Sequence, residues 1–231
     1  MRPVRALLLL ALPLLGGFSR SSPARASEDV ASTRGLDEIR YLALGDSFTA
    51  GTGIEPADAF PSRLASLWRV EHRRVTLENL AVDGYTTEDV RQQQLPKVAP
   101  FHPTFVTLGV GANDYVRGWS ADVYRSQVRL LFRGIIDAGV APDRIVALPQ
   151  PDWSRAPAAA SFGAPQQIGA GIVAFNTILR DEAHTAGARY VDLSPLMRRQ
   201  ADAKMFASDG LHPSARAHAE WAAALCERVE P

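Results

Sequence analysis

The chain has 231 residues, a formal net charge of zero and 46% hydrophobic residues. This length and apolar share predict one compact domain with a single core, and the balanced charge, without a basic patch, argues against nucleic-acid binding. Cys226 is the only cysteine, so no intramolecular disulfide can form and stability must come from packing.

The first 26 residues have the three parts of a secretory signal. Arg2 and Arg5 precede an apolar run at residues 6–15, and Ala24-Arg25-Ala26 provides a small-residue cleavage site. The apolar run is well short of the ~20 residues that a membrane span needs. We therefore expect a signal peptide rather than a membrane anchor.

Cleavage after Ala26 would leave a flexible leader at residues 27–38 and a single domain at residues 39–231. The leader is polar and lacks periodicity. We expect a secreted or periplasmic protein with no stable membrane insertion after cleavage. The sequence does not indicate an oligomeric state.

From residue 39 onward, apolar strands alternate with amphipathic helices. The predicted strands cover residues 41–44, 75–82, 105–110, 144–148 and 189–193, and the predicted helices cover 60–71, a segment opening at 86, 120–139, 168–186 and 214–229. Such alternation implies right-handed crossovers and a parallel sheet with helices on both faces. The predicted fold class is α/β, a flavodoxin-like three-layer α/β/α sandwich with a five-stranded parallel sheet.

The first strand ends abruptly in Gly45-Asp46-Ser47. In an open α/β sheet, ligands bind at the carboxyl ends of the strands, so Ser47 lies where a nucleophile would be useful. A serine in this position is more often a helix cap or a turn former. The functional interpretation therefore depends on the rest of the chain.

Three further blocks follow at intervals: Asn79-Leu80-Ala81-Val82-Asp83-Gly84, Gly111-Ala112-Asn113-Asp114 and Asp209-Gly210-Leu211-His212-Pro213. Together with Gly45-Asp46-Ser47, in this order, they resemble the SGNH (GDSL) hydrolase family across residues 40–229. The resemblance implies the flavodoxin-like fold and ester hydrolysis by a serine nucleophile. One block alone would be weak evidence, since glycine and asparagine are common turn residues.

Serine is a poor nucleophile unless a base removes its proton and a third group orients that base. Asp209 and His212, three residues apart in a predicted turn, can supply this pair, which gives the catalytic set Ser47, Asp209 and His212. The remaining histidines are expected at the surface or partly buried: His72, His102, His184 and His218.

The resemblance also implies an oxyanion hole formed by the backbone N–H groups of Ser47 and Gly84 and the side chain of Asn113. Such donors stabilise the negative oxygen that forms during acyl transfer. Considered alone, Gly84 and Asn113 would be interpreted as turn residues. Asp46 and Asp114 are expected to orient loop backbone.

Other site classes lack their signatures. The loop after Gly45 has no phosphate-loop lysine, no His-Glu-x-x-His or cysteine pair indicates zinc, and Thr49 replaces the second glycine of a Gly-x-Ser-x-Gly elbow. We expect no metal and no cofactor. The predicted function is a serine esterase or lipase acting on a small-molecule, lipid or acylated-sugar ester. Two alternatives stay open: a polysaccharide or sugar O-deacetylase, and a catalytically silent carbohydrate- or lipid-binding protein.

The segment from Pro149 to Gln167 is rich in proline, alanine and glycine and predicts a long loop at the carboxyl edge of the sheet. We expect it to be a mobile flap in which Trp153 and Phe162 contact the acyl group of the substrate. The alternative is that these two aromatic residues only pin the loop to the domain.

Overall fold

The computed structural model of the protein describes residues 38–71 and 73–231. Within them, parallel strands form one sheet in the order β2-β1-β3-β4-β5. This is the flavodoxin-like order, so the predicted fold class is confirmed. The strands are Glu38–Gly45 (β1), Arg74–Asn79 (β2), Phe105–Gly109 (β3), Ile145–Ala147 (β4) and Arg189–Tyr190 (β5). The predicted signal peptide, the leader up to residue 37 and His72 lie outside the described residues.

Helices cover both faces of this sheet. The longer ones are Phe60–Val70 (α2), Ala121–Asp137 (α6), Pro165–Thr185 (α7), Ser194–Asp202 (α8) and Ala215–Cys226 (α9). The short ones are Ser47–Ala50 (α1), Thr87–Asp89 (α3), Val98–Phe101 (α4) and Ala112–Val116 (α5). In the part of the chain that the structure describes, no helix combines the length and apolarity needed to cross a bilayer.

Successive residues of β1 point to opposite faces of the sheet, and each face has its own apolar core. Leu42 and Leu44 pack with α6 and α7, whereas Tyr41 and Ala43 pack with α2 and α9. β1 is a central strand that is covered on both faces, and such strands are continuous apolar runs in the sequence. The sandwich therefore fixes the position of Gly45, after which the chain turns through Asp46 into Ser47.

Several predicted boundaries were wrong because polar side chains end or extend the elements. Glu38, assigned to the leader, belongs to β1, where it pairs with Arg74. β2 ends at Asn79 rather than residue 82, since the Asn79 side chain accepts a hydrogen bond from the Ala81 N–H at 3.2 Å. β5 is short because the chain turns at Asp192, whose carboxylate accepts from the Ser194 N–H at 2.8 Å as α8 begins.

Helix α8 was missed from the sequence, and α7 begins at Pro165 instead of residue 168. Proline is favoured in the first turn of a helix because its missing N–H is not needed there. The segment before α7 is not a plain loop, because it contains two 3₁₀ helices, Trp153–Arg155 and Pro157–Ser161.

Candidate active site

Ser47 is the first residue of α1, directly after the central strand β1. Asp46 precedes it as the helix cap, and its side-chain oxygen accepts a hydrogen bond from the Phe48 N–H at 3.1 Å. The first N–H groups of a helix have no intrahelical partner, and no hydrogen bond among the described residues uses the Ser47 N–H, so it is an available donor. Ser47 is nearly buried and lines a cleft at the carboxyl edge of the sheet.

Asp209 and His212 are joined within one tight loop. The Asp209 carboxylate contacts His212 Nδ1 at 2.7 Å and accepts from the backbone N–H groups of Leu211 at 2.8 Å and His212 at 3.0 Å. The Ala207 N–H closes the loop by donating to the His212 carbonyl at 2.7 Å. Burial acts to raise the pKa of Asp209, but these hydrogen bonds, that of the His212 side chain foremost, outweigh it and lower the pKa.

His212 lines the same cleft as Ser47. Its ring lies 5.3 Å from that of Phe48, centroid to centroid, so the residue after Ser47 also packs on the imidazole. Among the hydrogen bonds of the described residues, none joins Ser47 Oγ to His212 Nε2. Such bonds are often formed only when substrate is bound.

The Asn113 side chain comes from α5, which follows β3, and it also lines the cleft. Its Nδ2 donates one hydrogen to the Tyr85 carbonyl at 3.0 Å. A primary amide has a second N–H, so this bond orients the amide and leaves one donor. Gly84 does not itself line the cleft, but Asp83 does, and the peptide that joins them carries the Gly84 N–H.

The loop that carries Gly84 is held by α5. Arg117 Nη2 donates to the Gly84 carbonyl at 3.1 Å, and the buried carboxylate of Asp114 accepts from the Thr87 N–H at 3.1 Å and from the Thr87 hydroxyl. Burial raises the pKa of Asp114 to about 6 even though the bonds from Thr87 act to lower it. α5 thus links the loop after β2 to Asn113.

Asp46 is completely buried. Burial raises the pKa of its carboxyl well above the ordinary value, against the lowering effect of the Phe48 N–H, and the charges of Asp114 and Asp83 also raise it. The orienting roles expected for Asp46 and Asp114 agree with their backbone hydrogen bonds to Phe48 and Thr87.

The cleft encloses about 150 Å³, and its walls are mostly apolar. Trp153 and Phe162 both line it, with their rings in edge contact at 5.4 Å. Trp153 is only 4% exposed and packs in a cluster with Phe48 and Ile172, whereas Phe162 is 46% exposed. The segment is also tied to the Asp209 loop, since the Ala158 N–H donates to the Gly210 carbonyl at 3.0 Å.

Sequence reasoning missed two residues of the site. Gly53 has a φ of +85°, and a Cβ atom there would lie 3.0 Å from Asp209 Oδ2 and 2.9 Å from the Ala207 Cβ. The only signal in the sequence was its place in a glycine-containing loop after Ser47. Asp83 lines the cleft, and nothing in its sequence context separates it from an ordinary turn aspartate.

The predicted placement of His218 was wrong, since it is fully buried between Phe60 and Trp221. The Phe60 N–H donates to its Nδ1 at 3.1 Å, which a sequence pattern cannot anticipate across such a separation. His102 and His184 are exposed, as expected. Within residues 38–71 and 73–231, no group of three or more histidine, cysteine or acidic side chains could hold a metal ion.

The sequence profile of the GDSL-like Lipase/Acylhydrolase family matches residues 43–220. The chain belongs to this family. The matched region begins within β1 and ends within α9, so it includes Ser47, Gly84, Asn113, Asp209 and His212. This is the family that the four sequence blocks around Ser47, Gly84, Asn113 and His212 resemble.

The individual relatives of this GDSL hydrolase share only a modest part of its sequence. An arylesterase from Vibrio mimicus is 31% identical over 132 residues, which cover 57% of this chain and 59% of that protein. A lipase/acylhydrolase from Enterococcus faecalis is 20% identical with a TM-score of 0.68, covering 84% of this chain and 98% of that one. An acetylxylan esterase from Geobacillus stearothermophilus is 16% identical with a TM-score of 0.64, covering 83% of this chain and 95% of that one. At such identities, the two structural matches support the fold alone.

Proposed function

We propose that this protein is an exported serine esterase that hydrolyses simple carboxylic esters through an acyl-enzyme. The observation that carries the proposal is that Ser47 and His212 line one cleft while Asp209 contacts His212 Nδ1 at 2.7 Å. An acceptor on Nδ1 fixes the tautomer in which Nε2 can take a proton. The amino-terminal signal features support export, and the arylesterase relative supports ester hydrolysis.

In the proposed mechanism, His212 removes the hydroxyl proton of Ser47 as Oγ attacks the ester carbonyl. The tetrahedral oxyanion accepts hydrogen bonds from the Ser47 N–H, the Gly84 N–H and the free N–H of Asn113. His212 then protonates the leaving alcohol, and the acyl group stays on Ser47. His212 then takes a proton from a water molecule as its oxygen attacks the acyl carbon, and returns that proton to Ser47 Oγ as the bond to the acyl group breaks and the carboxylic acid leaves.

The cleft favours small ester groups. Its volume of about 150 Å³ is comparable to that of a cavity that holds one benzene ring, so a short acyl chain or a single ring would fill it. A sugar O-deacetylase is the second candidate, because an acetyl group needs no more space than this. Lipids with long acyl chains would have to extend past Phe162 toward solvent.

The test is covalent labelling with a fluorophosphonate, together with hydrolysis of p-nitrophenyl esters and acetylated xylan. We expect the wild type to be labelled and to hydrolyse short esters, and Ser47→Ala to lose both labelling and turnover at an unchanged Tm. Residual turnover of Ser47→Ala within tenfold of wild type would refute Ser47 as the nucleophile. A folded wild type that neither reacts nor hydrolyses would favour the binding-protein alternative.

A further inference from the structure

Asp83 is the one carboxylate among the described residues that line the cleft. None of the other lining residues has an acidic side chain: Ser47, Phe48, Ala112, Asn113, Val116, Trp153, Phe162, Leu211 and His212. The Asp83 side chain is exposed. The cleft therefore presents a negative charge to any bound ester.

In the described part of the chain, this carboxylate has no directly bonded partner. No hydrogen bond or salt bridge there involves the Asp83 carboxylate, and the neighbouring cation Arg117 is engaged by the Gly84 carbonyl at 3.1 Å and by Asp89 at 3.7 Å. The charge of Asp83 also reaches the nucleophile turn, since it contributes to raising the pKa of the buried Asp46. An unpaired carboxylate beside the site acts on charged ligands in a way that salt screens.

Asp83 directly precedes Gly84, whose N–H is a proposed oxyanion donor. The ester carbonyl must approach this N–H during the reaction, so the groups attached to that carbonyl pass close to the Asp83 side chain. We propose that Asp83 selects substrates by charge, so that the enzyme acts on uncharged or cationic esters and discriminates against anionic ones. This inference rests on the proposed esterase function.

The consequence is a narrower substrate class. Uncharged aryl esters and acetylated sugars are favoured, whereas acyl-coenzyme A thioesters and anionic phospholipids are disfavoured. Two unit charges about 4 Å apart in water change binding about fivefold. A cationic and an anionic ester of the same shape should therefore differ about 25-fold in kcat/KM, and less at high salt.

The test uses two isosteric ester series. In the first, acetate esters carry a trimethylammonium, tert-butyl or sulfonate group on the alcohol. In the second, p-nitrophenyl esters carry the same groups on the acyl chain. The readout is the ratio of kcat/KM for the cationic ester to that for the anionic ester, because a general loss of activity cancels in this ratio.

We expect Asp83→Asn to lower this ratio about tenfold or more in at least one series, Asp83→Lys to invert it, and Asp83→Glu to retain it. Asp143→Asn is the matched control, since Asp143 is exposed and lies just before β4, at the opposite edge of the sheet. A ratio that stays within twofold of wild type in Asp83→Lys, while all esters are hydrolysed, would overturn this inference and leave the proposed function intact. A wild type that hydrolyses none of the esters and resists fluorophosphonate would overturn both.

Discussion

The Asp209 carboxylate accepts three hydrogen bonds inside one loop, two from backbone N–H groups and one from the His212 side chain. These bonds serve different purposes. The backbone bonds shape the turn, and the bond to Nδ1 holds the imidazole, whose Nε2 is the base in the proposed mechanism. Because the same side chain does both, a substitution that keeps the turn can separate structure from catalysis.

Asp209→Asn should be such a substitution. The amide oxygen can still accept from the Leu211 and His212 N–H groups, but the amide nitrogen would offer a donor to Nδ1 and favour the wrong tautomer of His212. We expect kcat to fall by ~10⁴, less than the ~10⁶ of His212→Ala, with Tm nearly unchanged. Steady-state kinetics and thermal unfolding would measure this. If kcat is unaffected, the enzyme works with a Ser47–His212 dyad.

At the scale of elements, the site combines the segments that follow β1, β2 and β3 with the loop between α8 and α9. The loop after β1 carries Ser47 and, further on, Gly53, which packs against the Asp209 loop. This contact links the loop that follows Ser47 to the loop that carries His212. There is no space for a side chain between them, so the fit of these two loops should be sensitive to one added methyl group.

Gly53→Ala is therefore predicted to displace Asp209. The new Cβ would come within 2.9 Å of the Ala207 Cβ and 3.0 Å of Asp209 Oδ2, and a shift of about 1 Å in a catalytic group can cost ~10²-fold in kcat. The control is Gly118→Ala, because Gly118 also has a positive φ, +74°, but faces open space. Both variants should lose roughly 1–2 kcal/mol of stability, and only Gly53→Ala should lose kcat. Equal kcat values in the two variants would contradict a catalytic role for this packing.

Trp153 and Phe162 differ in burial, so we expect their replacement by alanine to have different effects. Trp153 is buried in a cluster, so Trp153→Ala should lower Tm, with a cost of about 3–5 kcal/mol for a large aromatic side chain. Phe162 is half-exposed at the cleft, so Phe162→Ala should reduce kcat/KM more for octanoyl than for acetyl esters. The reason is that each acyl methylene buried against the ring contributes up to ~0.8 kcal/mol to binding. Equal decreases for both chain lengths would give Phe162 a pinning role only.

At the scale of the whole molecule, the buried His218 ties α9 to the start of α2. Its Nδ1 accepts from the Phe60 N–H at 3.1 Å, and its ring lies between Phe60 and Trp221. Burial lowers the pKa of His218 to about 4, and the charge of His212 acts in the same direction while that of Asp58 opposes it. The neutral ring is therefore part of the native packing between the two helices.

This burial predicts acid sensitivity. The unfolded chain takes up a proton at His218 near pH 6.5, whereas the native protein does so only near pH 4, so native stability falls as pH decreases through this window by on the order of 3 kcal/mol. The raised pKa values of Asp46 and Asp114 act in the opposite direction. Comparison with His218→Gln removes their effect because both proteins keep these groups.

We expect the Tm of His218→Gln to decrease less than that of wild type between about pH 7 and about pH 4.5. Glutamine can still accept from the Phe60 N–H but cannot take up a proton. Thermal unfolding monitored by circular dichroism at both pH values gives the comparison. Parallel decreases in the two proteins would show that His218 does not control acid stability.

The sequence by itself determined the features that depend on neighbouring residues. The apolar run of β1 and the motif blocks around Ser47, Asn113 and His212 are local patterns. Local sterics, hydrogen bonding and hydrophobic periodicity act over a few residues. The alternation of strands and helices along the chain then predicted a parallel sheet. The short Asp209–His212 spacing likewise allowed their contact to be anticipated.

Only the tertiary structure decided the contacts between distant residues. Gly53 lies against Asp209, Asp114 holds Thr87, and His218 accepts from Phe60 across 158 positions of the chain. Asp83 became a candidate specificity residue only when the loops after the strands met at one cleft. Each of these residues is ordinary in its local sequence. Its role depends on which surface the sheet and helices bring against it, and that is set by packing of the whole domain.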